Sequence, residues 1–172
     1  MELVDLYDEN RAPLGKTAER YGKKGPGECR VVVHICVFDS QWRLLVQKRT
    51  ENKFRWPGRW DVSAAGGVDA GETSRQGAER EFREELGYPL DLTGKRPVVT
   101  VNFPGGFDDF YVVERDLDLD ALILQAEEVE EIRWATKEEV LAMLDAGTFI
   151  SYPRSFLQFL FEMRGKFGFP GK

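Results

Sequence analysis

Between Gly66 and Tyr88 the chain reads GGVDAGETSRQGAEREFREELGY, a glycine pair followed by a dense run of acids. Wound as an α-helix at about 100° per residue, Glu81, Glu84 and Glu85 fall within about 100° of one another and share one face. Ala78, Phe82 and Leu86 project to a neighbouring stripe that can pack on a sheet and hold the helix rigid. Carboxylates at this spacing repel by roughly a few tenths of a kcal/mol per pair in an isolated helix, so something must offset them. Arg80 can neutralise part of that charge. Clustered carboxylate oxygens also match the ligands preferred by Mg²⁺ or Mn²⁺. A solvated acidic face is the alternative for any glutamate-rich helix, and composition alone does not separate the two. Gly77 lies mid-helix on the carboxylate face, where glycine costs about 1 kcal/mol relative to alanine. Close approach of a metal cluster or a loop would explain it, and so would a tolerated imperfection.

The elements that must carry this helix follow from the rest of the pattern. Thr73 and Gln76 have the spacing of a capping box, so the helix runs from about Thr73 to Leu86, with Gly87 as a left-handed cap. Before it, Leu3 to Tyr7 reads as a short strand, followed by a polar stretch through Glu28. Arg30 to Phe38 and Arg43 to Lys48 read as a hairpin around Asp39-Ser40-Gln41. Trp60 to Ala65 is another strand, and Gly66-Gly67 begins a loop into the helix. Pro97 to Phe103 and Asp109 to Glu114 follow, joined across Pro104-Gly105-Gly106. A strand at Val129 to Ala135 leads into a helix opened by Thr136 and ended by Gly147, and a last helix covers Ser155 to Arg164. Strands and helices mix without strict alternation, which predicts an α/β chain of the α+β sandwich kind, a mixed β-sheet packed between helices.

The spacing of the acids is itself distinctive. Gly66, then Glu72, then Arg80-Glu81-Phe82-Arg83-Glu84-Glu85-Leu86-Gly87-Tyr88 reproduces G-x5-E-x7-R-E-U-x-E-E-x-G-U, where U is a bulky apolar residue. The chain therefore resembles the Nudix family, with Tyr88 in place of the usual aliphatic at the last position. The resemblance implies the Nudix fold and a divalent-metal-dependent hydrolase that cuts a diphosphate linkage in a nucleoside diphosphate derivative or a related small organic diphosphate. It implies that Glu81, Glu84 and Glu85 bind Mg²⁺ or Mn²⁺, that Glu72 supports the loop and Arg80 by ion pairing, and that the backbone carbonyl of Ala65 completes the metal shell. Glu128, or its neighbour Glu127, stands where some members supply an additional acid, and a solvent-facing role is the alternative. Arg49 and Arg55 are candidate phosphate contacts, because a guanidinium matches phosphate geometry. Trp56 and Trp60 could stack on a base or an isoprenoid, or simply pack in the core. Phe107, Asp108 and Asp109 read as a mobile lip or a plain hairpin turn, and His34 as a satisfied strand residue or one that leans into the cleft.

Within the family, Lys53 to Ser63, Val4 to Glu9 and Gln47-Lys48-Arg49 look like the branch related to isopentenyl-diphosphate isomerase. That reaction, a double-bond shift by proton transfer at carbon, requires a cysteine and histidine ligands. Here Ala65 stands at the cysteine position, and Gly67 and Arg30 stand at two histidine positions. His34 is the only histidine. A catalytically silent Nudix ligand-binding module is a third reading. It predicts loss of a box carboxylate, and none is lost.

Composition sets the outer limits. A length of 172 residues suits one domain, 1–172, with residues 1–28 as an N-terminal arm. The net charge of −6 offers no positive field for a nucleic-acid duplex, so the expected partner is a small-molecule diphosphate. No apolar run approaches the roughly 20 residues that span a bilayer, and the opening Met1 to Asp5 lacks a signal-peptide layout, so a cytoplasmic protein is expected. Cys29 and Cys36 match neither a metal clip nor a disulfide framework, and Cys36 is expected to pack. The N-terminal arm and the aromatic last helix suit a monomer or a homodimer.

Overall fold

The computed structural model describes residues 2–166. Its strands are β1 (Leu3–Tyr7), β2 (Pro13–Glu19), β3 (Arg30–Phe38), β4 (Leu44–Arg49), β5 (Trp60–Asp61), β6 (Ala64–Gly67), β7 (Val99–Phe103), β8 (Gly106–Glu114) and β9 (Val129–Ala135). Its helices are α1 (Ser74–Leu86), α2 (Lys137–Asp145) and α3 (Arg154–Met163). The β-branched run of β3 forms the spine of a seven-stranded mixed sheet. It lies parallel to β8 along its whole length, and β7 continues that side antiparallel.

On its other edge β3 divides its pairing between two strands. Val32 to Ile35 pair with β6, while Phe38 alone meets Leu44 of β4. From there β4 turns away to pair antiparallel with β9 and β5. Ser63 occupies the fork and replaces the missing ladder bonds. The Val37 N–H donates to its Oγ at 2.8 Å, and that hydroxyl donates to the Leu45 carbonyl at 2.7 Å. Every backbone group so buried needs a partner, and here a side chain supplies it.

Alternation along β3 builds two cores. Val31, Val33, Ile35 and Val37 meet Ala78, Phe82 and Leu86 of α1. Cys36 and Phe38 face the other way, against Val140 of α2 and Leu157 and Leu160 of α3. The result is the expected mixed sheet between helices. Both cysteines are buried free thiols, and Cys36 packs in the core as expected of its place on β3. Helix α1 has the full capping box at Thr73 and Gln76, and Gly87 ends it at φ 67°. Gly77 faces Val68, whose Cγ2 would lie 3.0 Å from an added Cβ, so close approach of the preceding segment accounts for this glycine.

Three expectations are corrected. The polar stretch after Tyr7 contains a strand, β2, which forms a hairpin with β1; its largely exposed residues gave no alternating apolar signal. Gly66 and Gly67 do not begin a loop, because both pair with β3 as the end of β6. Phe107 to Asp109 form no lip. They are paired on both sides inside β8, and Asp109 is fully buried. Among the described residues no helix is long and apolar enough to cross a membrane.

Candidate active site

The wall of α1 and the end of β6 press the acids of the box together. Glu85 is buried, and its Oε2 accepts from the Gln47 amide of β4 at 3.0 Å and from the Ala65 N–H at 3.2 Å. Glu81 is buried beside it. A Cβ at Gly66 would fall inside the Glu81 carboxylate, so only glycine lets the backbone lie against this acid. Glu84 sits at the rim with its side chain 48% exposed. The helix face predicted as one unit is thus graded, with two acids inside and one outside.

Arg80 reaches across this face and beyond it. It donates to Glu72 at 2.9 and 3.0 Å, to the Gly67 carbonyl at 2.8 Å, and to Glu81 and Glu84 at 3.0 Å each. Burial opposes its charge, yet Glu72 and Glu81 hold it even more firmly protonated than an ordinary arginine. One guanidinium does not balance the acids. Burial, and then the charge of Glu81, push Glu85 up to about 7. Burial likewise raises Glu81, against the pull of Arg20 and Arg80. Among the described residues the buried Oε1 of Gln47 has no hydrogen-bond partner.

Among the described residues no three acidic, histidine or cysteine side chains already form a closed metal cage, and Arg80 holds two of the three candidate glutamates. The donor chemistry nonetheless suits a hard divalent cation: carboxylate oxygens, two of them buried with too little positive charge, beside an unpartnered amide oxygen. Of Ala65, the amide is what reaches Glu85.

A cavity of about 510 Å³ opens beside this cluster, with Ala65, Gly66 and Gly67 at one end. Arg49 and Arg55 line it, as does Trp56. Trp60 is not among its lining residues. It packs against the second core with the Arg133 guanidinium 4.9 Å from its ring centroid. Glu127 and Glu128 both line the cavity, and Glu128, paired with Lys53, also borders the glutamate cluster.

The cavity floor is a polar chain. The Tyr152 hydroxyl donates to Asp61 at 2.9 Å and lies 3.4 Å from Nδ1 of His34, whose Nε2 is 3.1 Å from Asp108. His34 is therefore both satisfied and in the cleft, stacked on Phe110. Gln47 and Asp61 stand in segments that carry the isomerase resemblance but have no site role assigned from the sequence, and neither do Tyr152 and Arg20. Gln47 carried one legible signal, an amide continuing the apolar run Leu44 to Val46, whereas Arg20 carried none.

A NUDIX domain model matches residues 29–155. An uncharacterised Nudix hydrolase of Listeria innocua is 47% identical over 164 residues, covering 95% of this chain and 96% of that protein. The isopentenyl-diphosphate Delta-isomerase of Streptomyces griseus is 31% identical over 102 residues, covering 59% of this chain and 52% of that one. Among solved structures, a Deinococcus radiodurans protein superposes with a TM-score of 0.75 at 25% identity, covering 92% of this chain and 99% of that one. The family match spans the glutamate helix, the sheet that supports it and the cavity floor, and on that ground this chain belongs to the Nudix hydrolases, enzymes that cleave phosphorus-containing anhydrides in small molecules and generally use divalent metal ions.

Proposed function

We propose that this protein uses Mg²⁺ or Mn²⁺ to hydrolyse the diphosphate linkage of a nucleoside diphosphate derivative or a related small organic diphosphate, with residues 1–172 acting as one unit. The observation that carries this reading is the pair of buried, under-neutralised carboxylates of Glu81 and Glu85, which line with Glu84 a hollow of about 270 Å³ that shares Arg20, Lys53, Ala65 and Glu128 with the larger cavity. Glu81, Glu84 and Glu85 would hold the cation, with the Ala65 carbonyl and Glu128 as further oxygen donors. When bound, it supplies Lewis-acid stabilisation of phosphoryl charge and lowers the pKa of bound water. Glu72 fixes Arg80, and Arg80 in turn restrains Glu81 and Glu84. Arg49 and Arg55 bind phosphoryl oxygens along the cavity. Trp56, rather than Trp60, is placed to cover a flat group.

The test is a panel of nucleotide sugars, nucleoside di- and triphosphates, dinucleotides and isoprenoid diphosphates, each with and without divalent metal. Metal-dependent hydrolysis of at least one diphosphate, strongly depressed in Glu84→Gln and Glu85→Gln, is expected. Turnover without metal, or full activity in both variants, overturns the reading. Isopentenyl diphosphate should undergo no double-bond shift, consistent with Ala65 in place of a cysteine. Tight binding without hydrolysis across the panel would indicate a binding module instead.

A further inference from the structure

Beyond the glutamate end, the cleft continues into a second hollow of about 630 Å³ that no residue of the box lines. Four cations border it: Arg20, Lys24, Arg30 and Arg55. Its one acid, Glu28, is already engaged by Lys16 at 3.0 Å and by the Gly25 N–H at 2.7 Å. Lys24 is spent on the hairpin end, donating to the carbonyls of Glu19, Arg20 and Gly22.

Three arginines complete the border, of which Arg20 is ion-paired. Arg20 follows β2 and reaches across Gly67, where an added Cβ would lie 2.8 Å from its Nε. It pairs with Glu2 at 2.7 Å, lies 3.7 Å from Glu81, and borders both hollows and the glutamate cluster. Arg30 is partly buried with its guanidinium 5.8 Å from the Phe103 ring centroid. Among the described residues neither Arg30 nor Arg55 has a carboxylate within ion-pair distance. The two positions where the isomerase resemblance calls for histidines, 67 and 30, thus carry one guanidinium above a glycine and another in place.

Arg20 and Arg30 are partly buried and Arg55 is exposed beside them, and like charges brought together at partial burial are costly unless an anion joins them. Arg20 and Arg55 indeed make Arg30 harder to keep charged, after burial itself. Tyr21, Phe54 and Phe103 line the same hollow, with the Tyr21 and Phe54 rings largely exposed at its rim.

We propose that Arg20, Arg30 and Arg55 form a phosphate-binding cup for a phosphoryl group additional to the diphosphate that is cut, so that the substrate carries at least three phosphoryl groups or their equivalent. The proposal rests on the hydrolase reading above and assigns the far end of its substrate. Arg20 stands at the junction, between the glutamates and the cup.

The test is calorimetric titration of the metal-free, EDTA-treated protein with inorganic tripolyphosphate and with pyrophosphate. Without metal the glutamates repel both ligands, so binding reports the arginines of the cleft, and the Arg30 and Arg55 variants assign it to the cup. Tripolyphosphate should bind about tenfold more tightly than pyrophosphate, and Arg30→Gln and Arg55→Gln should each weaken it about tenfold. Arg43→Gln, on a guanidinium paired with Asp39 away from the cleft, should change nothing. Arg55 is exposed, so its variant tests the cup even if Arg30→Gln misfolds. Wild-type protein that binds neither ligand, equal affinity for the two, or tripolyphosphate binding unaffected by Arg55→Gln overturns the proposal. Metal-dependent turnover that needs Glu85, combined with failure here, removes the cup alone. Binding as expected, with no hydrolysis of any panel compound, removes the hydrolase reading alone.

Discussion

Two buried acid networks stand at opposite ends of α1, and they are balanced differently. At the N-terminal end Asp109 receives four donors: the two guanidinium nitrogens of Arg11 at 2.8 and 2.5 Å, the Thr100 hydroxyl at 2.6 Å and the Ser74 hydroxyl at 2.5 Å. Burial would raise its carboxyl, but Arg11, Ser74 and Thr100 outweigh burial and hold it below the usual carboxylate range. At the C-terminal end Glu81 and Glu85 share too few donors, and both are raised. A closed network fastens the N-terminal hairpin to sheet and helix. An open one leaves two buried acids under-neutralised, which is where the proposed cation would bind. Burial alone does not distinguish structure from site; the balance of donors does.

Substitutions can break this contrast. The largest effect is expected from Glu85→Gln. Turnover should fall on the order of 100-fold, the kinetic equivalent of about 2.7 kcal/mol. The metal-free protein should become more stable, with a melting midpoint raised by roughly 2–4 °C, because a neutral amide removes the repulsion with Glu81. Loss of both activity and stability would mean that the open network is structural after all.

Arg11→Ala should cost about 2–3 kcal/mol, read as a lower urea midpoint at unchanged slope. That is less than a fully buried pair would lose, because the Arg11 side chain is 35% exposed and two hydroxyls still serve Asp109. The sign with pH follows from the lowered carboxyl. Its stabilisation is present above the unfolded value of about 3.9 and fades as pH falls through the folded value. Wild-type stability should therefore drop on acidification below about pH 4, and Arg11→Ala should flatten that limb. A parallel pH profile in the variant would show that Arg11 does not set the Asp109 carboxyl.

The smallest effect is expected at Gly77→Ala. Helix propensity favours alanine by about 1 kcal/mol, whereas overpacking against Val68 costs about 1–3. A net loss of about 1 kcal/mol is expected in thermal unfolding, and a gain would show that Val68 yields.

The legible parts of the molecule were those written locally. Capping boxes at Thr73 and Thr136, the Gly87 cap and the limits of β3 and β9 all depend on spacings within one element or one short segment, whereas the Arg80–Glu72 pairing was expected only from the family resemblance. Strand β2 was not legible, because exposed residues between Pro13 and Glu19 bury no alternating face. Nor was the failure of Trp60 to line the cavity, since whether an aromatic beside a sheet meets ligand or core depends on what packs over it.

By itself the sequence determined the glutamate helix and its shared acidic face, because helical periodicity converts residue spacing directly into shared faces, and its box motif marked the family. Only the tertiary structure decided which glutamates are buried, that Gln47 touches Glu85, that Tyr152, His34 and Asp108 meet across 118 and 74 residues of chain, and that Arg20 from the hairpin lies over Gly67. Those contacts join segments that pair or pack across the sheet, and their strength comes from burial and charge balance, which exist only once the layers have closed.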